Sequence, residues 1–189
     1  IDQYGGRLED DHLNYLSVHY LYIRSFATNV PLSDDAAKAY TYFISQAENH
    51  WLGKGLYAEA MLGLTLKRAD KESYKGILAS LKERSFYSNE LGRYWNIGNG
   101  FQWYELPIES HALLIEFFTE AEKGESFVED MKIWLLKNKQ TKHWQTTKGT
   151  ASAIYALLLQ GEGQGMTKWI EEDNLPGIRL GDAQLDVDK

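Results

Sequence analysis

Aromatic, acidic and imidazole side chains gather in one stretch of the sequence, between residues 92 and 111. A sugar-binding cleft needs flat aromatic rings, and glycoside hydrolysis needs two carboxyl groups at a defined separation. The stretch supplies both, with Glu105 or Glu109 as the general acid or base. The candidate cleft residues are Tyr94, Trp95, Trp103, Tyr104, Glu105, Glu109 and His111.

The same residue types also have a structural explanation, which we favour. Trp and Tyr in a loop that closes a helical layer supply buried area and a hydrogen-bonding tip. Glu109 falls in the first turn of an expected helix, where the partial positive charge of the helix N-terminus stabilises a carboxylate. We therefore predict that the chain has no catalytic residue and is not an enzyme.

No set of side chains has the spacing of a metal site. His12 and His19 are seven residues apart, so on one helix they lie two turns from each other, too far to share a metal ion. The acidic residues at positions 9–11 begin an expected helix, where negative charge is favourable without a metal. The sequence has no Cys, which excludes a thiol nucleophile, a disulfide and a cysteine metal site. We expect neither a metal nor another cofactor.

The composition argues against two further classes of protein. The 189 residues are 43% hydrophobic and 25% charged, as in an ordinary globular domain. The net charge of −7 has the wrong sign for binding phosphate backbones, so we expect no nucleic acid partner. The sequence has no run of about 18 apolar residues, so we expect no transmembrane segment in this chain.

The helical spacing of apolar residues divides most of the chain into seven segments. We expect a Gly- and aromatic-rich loop over residues 87–106, and a short helix near 166–174 followed by a strand and turn near 177–185. The seven expected helices cover about residues 9–28, 34–51, 56–68, 71–86, 108–121, 126–139 and 147–159.

Helices that are apolar on most sides alternate along the chain with helices that have one apolar stripe. An all-round apolar helix must be covered on several sides, whereas a striped helix needs cover on one side only. The alternation predicts an all-α fold, a partial α/α toroid of about seven helices in alternating inner and outer layers. A solenoid of stacked helix pairs is the alternative. We expect residues 1–175 to form this helical domain and residues 176–189 a strand or linker toward a following β-domain.

Three stretches together resemble one known family. Residues 108–114, with Glu109 and Ala112 at the Glu and Ala positions, are similar to the Val-Glu-x-x-Ala-x-Leu-Leu type of inner helix. Residues 134–158 are similar to a succession of Trp-Leu-x-x-Gln, Trp-x-(Ser/Thr)-Thr-x-x-Thr and Ala-Leu motifs. Residues 13–26 look like the bacterial branch of the family. The family is the thioester-containing domain of α2-macroglobulins and complement-like proteins.

The resemblance implies a fold, a role and a location. The family fold is an α/α toroid of the terpenoid cyclase type. The implied role is that of a non-catalytic domain in a large bacterial inhibitor that traps proteases, periplasmic or anchored to the cell envelope by a signal or lipid anchor outside this chain. The implied partners are the other domains of the same large chain and, through the full-length protein, target proteases.

One departure from the family pattern is the lack of Cys. The family's reactive site is an internal thioester between Cys and Gln of a Gly-Cys-Gly-Glu-Gln motif, which this chain cannot form. Two explanations remain open: the motif precedes Ile1 and the chain is the C-terminal part of the domain, or the protein belongs to a bacterial subgroup without a thioester. An α/α-barrel carbohydrate-active enzyme, a glycosidase or lyase, and a helical solenoid scaffold remain the alternative functions.

Overall fold

Helices dominate the computed structural model, which describes residues 7–97, 107–122, 125–142, 144, 146–159, 178–180 and 183–185. The expected all-α class with a short β segment is confirmed. The helices of the described part are α1 (Tyr15–Arg24), α2 (Asp34–His50), α3 (Leu56–Arg68), α4 (Tyr74–Glu83), α5 (Pro107–Ala121), α6 (Glu125–Lys142) and α7 (Thr147–Leu158). The strands are β1 (Phe86–Ser88), β2 (Gly92–Tyr94), β3 (Ile178–Leu180) and β4 (Ala183–Leu185).

Local backbone chemistry sets the helix ends. The first helix begins later than predicted because Asn14 caps it, accepting from the backbone N–H of Ser17, while the Ser17 hydroxyl oxygen accepts from the N–H of Asn14. Gly55, with a φ of 86°, precedes α3, and Asp70, with a φ of 54°, follows it. Both residues adopt left-handed backbone that a helix cannot continue through.

Two helices are buried on all sides. Nine consecutive residues of α3, Ala58–Leu66, and ten consecutive residues of α5, Glu109–Phe118, have almost no exposed surface. Helix α3 contacts α1 on one side and α5 on the other, and α5 also contacts α7. We call α1, α3, α5 and α7 the inner row. Helix α2 packs on α1 and α3, α4 on α3 and α5, and α6 on α5 and α7, so these three form an outer layer.

The closest approach between α3 and α5 is at Gly63. A Cβ atom at this position would lie 2.5 to 2.8 Å from three ring atoms of Phe117, which is fully buried. Only glycine therefore allows the two helices to pack at this distance. Gly76 on α4 is the contrasting case, because the nearest atom to its Cβ would be 3.8 Å away, on Trp51.

We expect Gly63→Ala to lower the free energy of unfolding by about 2 kcal/mol, because overpacking outweighs the better helix propensity of Ala. Gly76→Ala, the matched control, should raise it by up to about 1 kcal/mol. Urea unfolding of both variants measures the difference. The double variant Gly63→Ala/Phe117→Leu should lose less than the sum of the single losses. Strictly additive losses would contradict the contact.

A β-hairpin over residues 86–94 replaces the end of the helix predicted over 71–86 and the first part of the loop predicted over 87–106. Strands β1 and β2 pair antiparallel, with Phe86 opposite Tyr94 and Ser88 opposite Gly92. Gly92 has a φ of 74°, and a Cβ there would collide with the carbonyl oxygen of Asp130 on α6. Three-residue strands are too short to show an alternating pattern, so they could not be predicted from the positions of apolar residues.

The C-terminal strand and turn are present as the antiparallel pair β3 and β4. The short helix expected near residues 166–174 lies outside the described residues. Within the described residues, no helix has both the length and the apolar composition that crossing a bilayer requires.

Candidate functional site

Two of the candidate cleft residues, Trp95 and His111, lie in the hydrophobic core. The indole Nε1 of Trp95 donates to the carbonyl oxygen of Leu81 at 2.8 Å. The imidazole Nε2 of His111 donates to the carbonyl oxygen of Met131 at 2.9 Å. The His111 ring contacts the rings of Trp95 and Trp134, with centroids 5.8 and 4.3 Å away. Neither side chain reaches a surface where it would contact a ligand.

The other candidates are placed differently. Tyr94 lies on β2, where its ring stacks on Phe86 across the hairpin with centroids 5.8 Å apart. Trp103, Tyr104 and Glu105 lie outside the described residues. Among the described candidates, the structure therefore brings together only Trp95 and His111.

Among the described candidates, Glu109 is the one at the N-terminal end of an inner helix. It is buried in the first turn of α5, and its Oε1 accepts from the hydroxyl of Thr146 at 3.1 Å. The Thr146 hydroxyl oxygen in turn accepts from the backbone N–H of Gly149 at 2.8 Å, which caps α7. One threonine thus joins the first turns of two neighbouring inner helices.

Thr146→Val should lower the free energy of unfolding by about 1 to 2 kcal/mol, because it removes an N-cap and leaves a buried carboxylate without this donor. The matched control is Ser33→Ala at the N-cap of α2, where the side chain makes no capping bond. Thermal melts of both variants measure the effect. Equal losses in the two variants would contradict the role given to Thr146.

A second polar cluster lies toward the C-terminal ends of the inner helices. The Arg68 guanidinium contacts Glu116 at 2.7 Å through Nη2 and Glu120 at 3.0 Å through Nε. Its Nη1 donates to the Ser25 hydroxyl at 3.0 Å, and Tyr22 donates to Glu116 at 3.2 Å. We call these five residues the inner ion cluster. It links α3, α5 and the C-terminal end of α1.

Burial and charge perturb the titrating groups of this region. Burial raises the pKa of Glu116 and outweighs the Arg68 charge, which lowers it. Burial, followed by the negative charge of Glu116, raises the pKa of Tyr22 and of Tyr155. Burial also raises the pKa of Tyr57, with further contributions from Glu109 and Glu116. Tyrosines of the other three inner helices therefore lie within the electrostatic influence of this one buried carboxylate of α5.

The contacts of the buried carboxylates on α5 stabilise their charge, and they do not bring two carboxylates together as a reaction would require. Glu109 and Glu116 are seven residues apart on one helix, so their α-carbons lie about 10 Å apart along its axis. Glu116 is held by Arg68 and Tyr22, and Glu109 by Thr146. Within the described residues, no three His, Asp or Glu side chains lie close enough together to hold a metal ion.

The sequence interpretation missed the inner ion cluster. Arg68 lies in the last turn of α3, where a basic residue is favourable without a specific partner. The available signal was the spacing of Glu109, Glu116 and Glu120, which places three carboxylates along one side of an otherwise apolar helix. Such a stripe in a fully buried helix requires a buried partner of opposite charge.

Comparisons with known proteins give no match: no protein-family model fits the chain, and no curated protein or solved structure is significantly similar to it.

Proposed function

We propose that this chain is a non-catalytic helical domain of a bacterial α2-macroglobulin-like protein that traps proteases. The proposed location is the periplasm or the cell envelope, and the proposed architecture is a partial α/α toroid with the inner row facing its axis. The proposal rests on the resemblance of residues 13–26, 108–114 and 134–158 to the thioester-containing domain of that family.

One hydrogen bond in the structure supports the proposal in addition to the sequence resemblance. Glu109 stands at the Glu of the inner-helix motif, and Thr146 stands at the first Ser/Thr of the Trp-x-(Ser/Thr)-Thr motif. These two side chains are hydrogen-bonded at 3.1 Å, although 37 residues separate them. Two motifs that belong to the same packed domain are expected to bring such polar positions together. The contact supports interpreting the two stretches as parts of one domain.

The inner ion cluster supports curvature of the inner row. Neighbouring packed helices lie about 8 to 10 Å apart, so α1 and α5 would be nearly 20 Å apart if α1, α3 and α5 were in line. Tyr22 of α1 nevertheless donates to Glu116 of α5 at 3.2 Å. Such a contact is expected when the row bends toward the side that carries Tyr22, Arg68 and Glu116.

The proposed mechanism is mechanical. Cleavage of a bait segment elsewhere in the full-length protein would shift the contacts between domains. This domain would then move as one body, because α3 and α5 are packed without interruption against both layers. The chain supplies no thiol, and this mechanism requires no nucleophile from it. Its function is to support and shield the neighbouring domains.

Protease capture by the intact protein that contains this chain tests the proposal. After incubation with trypsin, a trap blocks cleavage of a large protein substrate but leaves cleavage of a small chromogenic peptide almost unchanged. Destabilising the domain by Arg68→Met should reduce this difference, whereas Lys38→Met, in an exposed ion pair with Asp35, should not. Equal activity on the two substrates would contradict the proposal.

The carbohydrate-active alternative makes a different prediction, centred on Glu109. An enzyme of that kind would lose glycan cleavage when Glu109→Gln removes the acid. The present geometry does not favour it, because Glu109 is buried and bonded to Thr146, and Trp95 and His111 are core residues. Cleavage of a polysaccharide that depends on Glu109 would replace the protease-trapping proposal.

A further inference from the structure

A short segment ahead of the first helix lies against the outer helix α2. We call residues 7–12 the strap. The strap is neither helix nor strand, and its residues are exposed, apart from the half-buried His12. Leu8 is its one apolar residue and is 56% exposed. Burial of apolar surface therefore contributes little to holding the strap in place.

Three side chains of α2 bind the strap through its backbone. Tyr42, Gln46 and His50 follow each other at spacings of four residues, so they form a row along one side of the helix. Tyr42 donates to the carbonyl oxygen of Leu8 at 3.2 Å. The imidazole Nε2 of His50 donates to the carbonyl oxygen of Glu9 at 3.1 Å. The row therefore contacts main-chain groups of the strap, which every residue type supplies.

Gln46 uses both ends of its side-chain amide for the strap. Its Oε1 accepts from the backbone N–H of His12 at 2.9 Å, and its Nε2 donates to the carbonyl oxygen of Leu8 at 3.0 Å. Gln46 is buried, and a buried amide costs free energy unless it is hydrogen-bonded. The strap in its observed position therefore satisfies a polar group of α2.

The C-terminal end of the strap is fixed more firmly. Lys54, in the turn between α2 and α3, contacts Asp11 at 2.6 Å and donates to the carbonyl oxygen of Leu13 at 2.9 Å. The Asp11 side chain is half-exposed, so this ion pair contributes only modestly. Leu13 belongs to the hydrophobic core, and Asn14 caps α1. Leu13 is therefore the point from which the strap extends.

Such an attachment can open without the rest of the fold. A region held by exposed hydrogen bonds, with few buried apolar contacts, opens at a lower free energy than the whole protein unfolds. Water replaces each of the hydrogen bonds that the strap loses. Helix α2 stays packed on α1 and α3 in this process, because its residues Ile44 and Ala47 belong to the hydrophobic core.

We propose that the strap is a latch, which detaches from α2 and returns to it as one unit while both helical layers remain folded. Leu13 is the hinge. The closed latch fixes the direction in which the chain enters α1, and the open latch frees the row of Tyr42, Gln46 and His50 for another extended segment. The latch goes beyond the proposed function and does not depend on it.

Hydrogen exchange of backbone amides, followed by NMR on the 189-residue chain, measures the opening. The reporter is the N–H of His12, which Gln46 accepts, and the reference is the core of α3, residues 58–66. We expect exchange at His12 to be at least about 100-fold faster than in α3 after correction for intrinsic rates. At low urea, exchange should accelerate in α3 but not at His12, because opening the latch exposes little surface.

Two variants separate the latch from the core. Gln46→Met removes both amide bonds at similar volume and should speed exchange at His12 about tenfold or more. Asn49→Met is the matched control, because the Asn49 amide donates to Ser45 of its own helix, and it should leave exchange at His12 unchanged. Gly63→Ala should speed exchange in α3 about 30-fold but not at His12, since it destabilises the closed and the open latch equally.

Three results would overturn the proposal. If Gly63→Ala speeds exchange at His12 as much as in α3, the strap opens only when the whole domain unfolds. If Gln46→Met leaves exchange at His12 unchanged, Gln46 does not hold the strap closed. If the His12 amide exchanges in the wild type as fast as in an unstructured peptide, the strap is not closed at all. Circular dichroism confirms that each variant keeps its helices.

Discussion

Arg68→Met should lower the free energy of unfolding at neutral pH by about 3 to 5 kcal/mol, the typical cost of removing one partner from a buried ion pair. The substitution keeps most of the side-chain volume but leaves Glu116, which is buried, without its cation. Glu120 also loses its partner, although it is partly exposed. Chemical denaturation at pH 7 measures the loss.

The stability lost in the Arg68→Met variant should become smaller as the pH falls. The pKa of Glu116 is raised by burial even with Arg68 present, and loss of the cation raises it further. A carboxyl group whose pKa is higher in the folded state binds more protons there, so the stability of the variant rises as the pH falls through that pKa. The difference between Arg68→Met and the wild type should therefore shrink toward pH 4.5.

Two further variants separate charge from packing at this position. Arg68→Met/Glu116→Met removes both members of the buried pair and should regain much of the loss, because an apolar pair of similar volume does not leave a buried charge. Lys38→Met, in the exposed pair with Asp35, should cause no measurable change. A double variant as unstable as Arg68→Met alone would contradict the charge explanation.

Acidification should destabilise the protein through His111. Burial lowers the pKa of His111 to about 4, below its ordinary value of 6.5. The neutral ring is therefore favoured in the folded state, and stability is fully present above pH 6.5 and falls as the pH is lowered toward 4. At pH 4 the contribution of this one residue to the loss is about 3 kcal/mol.

His111→Phe removes the titrating ring while keeping a flat side chain in contact with Trp95 and Trp134. At neutral pH we expect a moderate loss, because the hydrogen bond to Met131 is gone. Between pH 6.5 and 4, unfolding experiments should show a shallower decline for the variant than for the wild type. An NMR titration in which the His111 ring takes up its proton near pH 6.5 in the folded protein would contradict the account.

The two layers of helices could be predicted because a helix's layer depends on how much of its surface is apolar. Few residues between Ala58 and Leu66 are polar, so no side of this run is suited to face solvent. Its burial therefore follows from the sequence alone. Helix α3 was predicted with its observed limits, since Gly55 and Arg68-Ala69-Asp70 mark both ends. The limits of α1 were predicted less well, because the cap at Asn14 competes with an acidic stretch that also favours a helix start.

Polar contacts between distant parts of the chain were harder to predict. Gln46, a polar residue of α2, is buried, accepts from the N–H of His12 and donates to the carbonyl of Leu8. A helical stripe indicates which side faces the core, not which polar groups a preceding segment brings to that side. The pairing of Arg68 with Glu116 was missed for the same reason.

The curvature of the inner row is the claim on which the toroid depends, and pulsed electron paramagnetic resonance measures it directly. The chain has no Cys, so Tyr20→Cys/Ile154→Cys can be labelled at these two sites alone and diluted with unlabelled chain. With neighbouring helices about 10 Å apart, a row bent as part of a ring places α1 and α7 about 20 Å apart, and a straight row about 30 Å apart. We predict a main distance near the shorter value. A narrow distribution at about 30 Å or more would contradict the toroid and favour a solenoid.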